Sequence, residues 1–131
     1  IKKELPDEVL LVNVDSRLIL QVFINLLDNA VKYTPPGGTI SIETETETKF
    51  VHVRIADSGI GISEEKKKHI FDMFYRANEK IVDSRRSLGL GLALCRSIVT
   101  AHGGTIRVYD NHPKGSVFDF TLPLEEVAIH E

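Results

Sequence analysis

Tryptophan is absent, and cysteine and methionine occur once each. With Cys95 alone, no intrachain disulfide can form, so the fold must rest on a packed core, and a reducing compartment is the expected setting. No apolar run approaches the ~20 residues that a membrane helix needs, and no signal peptide is recognisable. The five histidines, His52, His69, His102, His112 and His130, have no zinc-type spacing, which leaves them as ordinary surface or strand positions. Positive charge is not in excess: 16 Lys and Arg stand against 19 Asp and Glu, a net charge of -3. That balance argues against generic nucleic-acid or anionic-membrane binding. A P-loop is missing, and so is any arguable Ser/His/Asp arrangement.

What remains is an ordinary globular composition. The 131 residues, 42% of them hydrophobic, suit one domain spanning 1–131 and leave too little chain for a second core. The chain starts at Ile1 almost directly in a strand-like run, which reads as a fragment cut from a longer protein. Val9 to Val14 predicts a strand, with Asp15 or Ser16 as the N-cap of a helix from Arg17 to Tyr33. Ile19, Val22, Phe23, Leu26 and Ala30 form its apolar stripe. Thr34-Pro35-Pro36-Gly37-Gly38 ends it. Alternation at Ile40 and Ile42, then at Val51, Val53 and Ile55, predicts two strands joined by a hairpin at Glu47-Thr48-Lys49.

A Gly-rich loop, Asp57 to Ile62, follows, and Ser63 opens a short helix to about Met73. The segment from Arg76 to Ser87 has few large apolar residues and reads as a mobile loop. Leu88-Gly89-Leu90-Gly91 leads into a helix to about His102, ended by Gly103-Gly104. Ile106 and Val108 mark a strand, Asn111 to Gly115 a turn, and Phe118, Phe120 and Leu122 a last strand closed by Pro123. Adjacent hairpins predict a mixed, mostly antiparallel sheet with three helices on one face, an α+β two-layer sandwich.

Three features can carry chemistry. Asn25, Asn29 and Lys32 at i, i+4 and i+7 share one helix face. Asparagine is a poor helix former, and its carbonyl suits Mg²⁺, beside which a lysine would neutralise phosphate charge. A solvated face with incidental asparagines fits the same spacing. Asp57, at a strand end before Gly59 and Gly61, could accept from an exocyclic amine, although a plain tight turn has the same sequence. Gly89-x-Gly91 precedes a helix whose N-terminal amides attract anions. The third glycine of a dinucleotide fingerprint is missing, since position 94 is Leu, so that reading is rejected. Cys95 reads as a buried inert thiol, Lys66-Lys67-Lys68 as a solvated face, and Phe71, Phe74 and Tyr75 mostly as core.

Taken in order, these motifs resemble a known family. They are Asn25-x-x-x-Asn29-Ala-x-Lys32-Tyr33-Thr-Pro, Asp57-x-Gly-x-Gly61, Phe71-x-x-Phe74-x-Arg76, Gly89-Leu-Gly91-Leu and Gly115-x-x-Phe-x-Phe-x-Leu-Pro123. The set is similar to the catalytic ATP-binding domain of sensor histidine kinases. Phe74-Tyr-Arg-Ala-Asn78 and His102-Gly-Gly look most like its Kdp-type, potassium-responsive branch. The resemblance implies the Bergerat (GHKL) fold, ATP and Mg²⁺ as ligands, and a lid over about residues 76–88. It implies metal contacts at Asn25 and Asn29, with Lys32 and Arg76 joining them in catalysis. It implies a nucleotide pocket of Asn29, Lys32, Tyr33, Asp57, Gly59, Gly61, Ile62, Phe74, Leu88, Gly89, Leu90, Gly91 and Leu92. Asp57 would accept from the adenine amine.

The gyrase, MutL and Hsp90 relatives of that fold carry a water-activating Glu where Asn25 stands, and Asn cannot act as a base at neutral pH. The resemblance therefore implies transfer of the γ-phosphoryl to a histidine on a separate helical dimerisation domain, and from there to a response-regulator receiver domain. It also implies a monomeric isolated domain, a homodimeric full kinase, no nucleic-acid partner, and a cytoplasmic place in a membrane-anchored bacterial sensor. A serine-phosphorylating anti-sigma-type kinase and a non-catalytic nucleotide-sensing module are the rival readings.

Overall fold

A computed structural model describes residues 12–72 and 91–125, together with the backbone of 2–4. Its elements are β1 (Lys2–Glu4), α1 (Ser16–Tyr33), β2 (Ile40–Thr46), β3 (Phe50–Asp57), α2 (Glu64–Lys67), α3 (Gly91–Ala101), β4 (Ile106–Asp110) and β5 (Ser116–Pro123). The strands form one sheet in the order β1-β2-β3-β5-β4. β1 joins β2 in parallel and every other pair is antiparallel. The α+β sandwich that the hairpins predict is the architecture found.

α1 begins where the capping rule puts it. Asp15 Oδ1 accepts from the amides of Arg17 (3.0 Å) and Leu18 (3.4 Å), which the first turn would otherwise leave unpaired. The stripe Ile19, Val22, Leu26 and Ala30 is buried, and Phe23 is half-buried edge-on to Phe120, with ring centres 5.5 Å apart. α1 and α3 pack together over β3, β5 and β4, and Cys95, Ile98 and Val99 enter the same core as Val53, Ile55, Phe118 and Phe120. Phe71, just past α2, meets Phe118 edge-on at 6.1 Å, so this segment covers the same face. Among the described residues no helix is long and apolar enough to cross a membrane.

Three expectations need correction. The strand predicted over Val9 to Val14 is reduced, within the described residues, to a single bridge from Val12 to Leu124. The first strand is instead Lys2–Glu4, a polar edge held by main-chain bonds, which side-chain alternation cannot reveal. α2 is four residues long and does not run to Met73, which itself lies outside the described residues. After Lys67 the chain tightens to three-residue hydrogen bonds, His69 N to Lys66 O and Asp72 N to His69 O, and Ile70 is buried. Two histidines are not ordinary positions. His102 Nδ1 donates to Ile98 O at 2.7 Å, which leaves Nε2 to accept from Asp15 N at 3.0 Å and ties the end of α3 to the start of α1.

His52 belongs to a buried cluster on the opposite face of the sheet. Asp119, 1% exposed, accepts from His52 Nδ1 (3.0 Å) and, on its other oxygen, from Arg54, Arg107 and the Tyr109 hydroxyl, each at 3.2 Å. Burial alone would raise this carboxyl. The bonds from His52 and Arg107, with the charges of His52 and Arg54, outweigh it and hold the group below the usual range. A carboxylate more acidic folded than unfolded contributes its full stability above its unfolded value of about 3.9 and loses it as pH falls through the folded value. Asp119→Asn, which leaves the cations facing an uncharged amide, should cost about 3 kcal/mol at neutral pH. Urea unfolding of both proteins as a function of pH should show the gap closing in acid. A gap that does not change with pH would mean that charge is not what the cluster supplies.

Candidate functional site

The asparagine face of α1 is directed by its neighbours. Asn25 Nδ2 donates to the carbonyl of Gly91, the first residue of α3, at 3.3 Å. A side chain at Gly91 would come up to the Asn25 amide, so the two helices approach closely here. With the amide nitrogen engaged, the carbonyl oxygen of Asn25 is the atom left for a ligand. One turn on, the Asn29 side chain makes no hydrogen bond to another described residue, and Lys32 lies 5.5 Å from the Tyr33 ring centre. Burial raises the half-buried Tyr33 phenol above its ordinary value. The N-terminus of α3, an end with partial positive charge, thus sits beside the metal-type amides. Burial pushes the Cys95 thiol, also against Asn25, up to about 11, as an inert core thiol requires.

The second half of the site stands at the other end of α1. The loop after β3 is stitched to it: Ile60 N donates to Tyr33 O at 3.3 Å, and Ser58 and Thr39 exchange two hydrogen bonds. Only glycine fits at position 59, because a Cβ there would lie 2.2 Å from Tyr33 O. Gly61 turns the chain at a φ of +79°, Ile62 tucks back against the core, and Ile60 is exposed.

Asp57 is 3% exposed. Its Oδ1 accepts from Gly59 N (2.9 Å) and Ser116 N (3.3 Å), while Oδ2 has no donor among the described residues. Burial raises this carboxyl, and the two amide bonds offset only part of the effect. Asn25 and Tyr33 are eight residues apart on one helix, about 12 Å of rise. A ligand with a base at one end and phosphates at the other spans such a distance.

Asn25, Asn29, Lys32, Tyr33, Asp57, Gly59, Gly61, Ile62, Gly91 and Leu92 are therefore on or beside one α1-centred site, Ile62 and Leu92 as half-buried packing. Phe74, Arg76, Leu88, Gly89 and Leu90, with the lid at 76–88, lie outside the described residues. The turn predicted at Asn111 to Gly115 is present, but its contact with the site has no signal in the sequence: Asn111 and Gly115 both touch the Asp57 main chain.

The donor set suits Mg²⁺ held jointly with phosphate: two amide carbonyls are hard ligands, few enough that the ion would keep other oxygens. The family described as "Histidine kinase-, DNA gyrase B-, and HSP90-like ATPase" matches residues 14–126. The chain is 49% identical over 125 residues to the sensor protein KdpD of Clostridium acetobutylicum, covering 95% of this chain and 14% of that protein. It is 45% identical over 125 residues to the adaptive-response sensory kinase SasA of Gloeothece citriformis, covering 95% of this chain and 31% of that protein. Its fold superposes with a TM-score of 0.75 on the histidine kinase ThkA, solved in complex with the response regulator protein TrrA. That match has 37% identity and covers 92% of this chain and 33% of that one. The chain thus spans between about a seventh and a third of these three proteins. It belongs to the histidine kinase-, DNA gyrase B- and HSP90-like ATPase family, as the catalytic ATPase domain of the sensor histidine kinase kind.

Proposed function

We propose that this domain binds ATP with Mg²⁺ along α1 and donates the γ-phosphoryl to a histidine on a separate helical dimerisation domain, from which a receiver domain takes it. The carrying observation is the buried Asp57, whose Oδ2 has no donor among the described residues, beside the Asn25/Asn29 face of α1. Asp57 Oδ2 accepts from the adenine amine, and Gly59 lets the base approach the backbone. Lys32 neutralises phosphate charge, and the α3 amides add to it. Asn25 and Asn29 would hold Mg²⁺. When bound, that ion neutralises charge on the transferring phosphoryl group.

Neither Asn25 nor Asn29 can take a proton from water, so bound ATP is held for another nucleophile. Neither the serine-kinase reading nor the sensing-module reading gains an observation from the site. We further propose that the whole protein is a homodimer and that this domain lies on the cytoplasmic side of a membrane-anchored sensor. The KdpD likeness favours the potassium-responsive branch.

Four outcomes follow from these roles. Because Asp57 is less acidic folded than unfolded, its ionised form weakens the fold, a penalty absent in acid and full at neutral pH. Asp57→Asn should therefore be at least as stable as wild type at neutral pH. It should bind ATP about 1–3 kcal/mol more weakly, with its preference over GTP lost. Calorimetric titration and thermal unfolding check both halves, and intact ATP affinity would remove the adenine assignment. Wild-type ATP affinity should also begin to fall at a higher pH than an ordinary aspartate gives. Asn29→Ala should weaken binding in magnesium far more than in chelator, and an equal loss in both would end the metal role. Finally, the chain mixed with a phosphoacceptor domain and labelled ATP should yield acid-labile phosphohistidine, and alone it should release little phosphate. Rapid phosphate release by the isolated chain would contradict the absence of a base.

A further inference from the structure

Asp57 is the last residue of β3, one position beyond the final β3–β5 rung at Ala56 and Val117. Its main-chain carbonyl therefore has no ladder donor on that side. The bond it makes instead comes from 54 residues away, from Asn111 Nδ2 at 2.8 Å. The Asn111 amide has one possible orientation, because its Oδ1 accepts from His112 N at 2.9 Å. Asn111 N also donates to Gly115 O at 3.0 Å and closes the β4–β5 turn.

Gly115 makes the reach possible. With a φ of +103°, it leaves open a place where a Cβ would stand 1.9 Å from the Asp57 carbonyl. The peptide unit after Asp57 is thereby pinned on both sides, its carbonyl by Asn111 and its N–H by Thr39 O at 3.0 Å. The same hairpin supplies Ser116 N to the carboxylate itself. Elsewhere an open cleft of about 490 Å³ separates the hairpin from Ile60–Ser63.

We propose that Asn111 is a positioning residue for base recognition: by fixing the peptide plane that follows Asp57, it aims the free carboxylate oxygen and sets selectivity for adenine over guanine nucleotides. This rests on Asp57 as the adenine acceptor. Asn111→Asp is nearly isosteric and keeps the acceptor for His112, but turns an acceptor toward the Asp57 carbonyl. Asn111→Ala removes the donor without adding charge, and serves if the first variant does not fold.

The chain and both variants are titrated, in magnesium, with ATP, GTP and inorganic tripolyphosphate, and their thermal unfolding is recorded. The expected result is roughly a tenfold loss of ATP affinity with GTP and tripolyphosphate binding unchanged, so that the ATP preference narrows. Unchanged ATP affinity in both folded variants would overturn the proposal. So would an equal loss for ATP and tripolyphosphate, which would assign Asn111 a merely structural role. A wild-type chain that does not prefer ATP to GTP would instead overturn the Asp57 assignment, whatever the variants do.

Discussion

Everything in the site is arranged around a buried carboxylate that the fold leaves half satisfied. Asp57 and Asp119 are both almost inaccessible to water, and they are opposite cases. Asp119 takes four donors on two oxygens and is more acidic than an ordinary carboxylate. Asp57 takes two amides on one oxygen and is less acidic. The second oxygen of Asp57, at the end of the central strand, has no donor among the described residues, which is what suits it to an external one. Asp119 joins β3, β4 and β5 from behind, and Asp57 Oδ2, with no donor among the described residues, is the atom proposed to meet a ligand in front.

Holding such a group still takes contact from three directions. α1 presents the carbonyl of Tyr33 to Ile60, the turn before β2 exchanges bonds with Ser58, and the β4–β5 hairpin reaches over with Asn111 and Ser116. Two of these approaches are close enough that a side chain would block them, and glycine stands at both, Gly59 and Gly115. α1 meanwhile serves as a ruler. It carries the amide face at its middle and the loop contact at its C-terminal end, and its core stripe against β3 keeps the two in register.

Much of this was legible in the sequence, for physical reasons that also mark where reading stops. Periodicity reports one buried face, so α1, the β2–β3 hairpin and β5 were predictable. The capping oxygen of Asp15 was too, because it acts on its own helix. Lys2–Glu4 was not legible, since an edge strand paired through its main chain carries no apolar pattern. The shortening of α2 follows from Ile70 and Phe71 turning into the core, a tertiary demand that overrides helical propensity. Asn111, His102 and Asp119 act across 54, 87 and 67 residues, distances at which no local signal exists. The motif residues stood out because unusual chemistry, two asparagines on one helix face, is visible one residue at a time.

The identity of residue 25 gives the site its character. Its side chain spends the amide nitrogen on Gly91, at the point where α3 begins, and so ties the α1 face to the start of the segment from which phosphate-directed amides project. A glutamate there could not donate that bond, and its second oxygen would face the Gly91 carbonyl as an uncompensated charge. Asparagine thus does two things at once: it holds α1 against α3, and it denies water a base. Binding and chemistry are separated in consequence. Under the proposed function, the residues of this domain hold ATP, and the nucleophile is supplied by the separate phosphoacceptor domain.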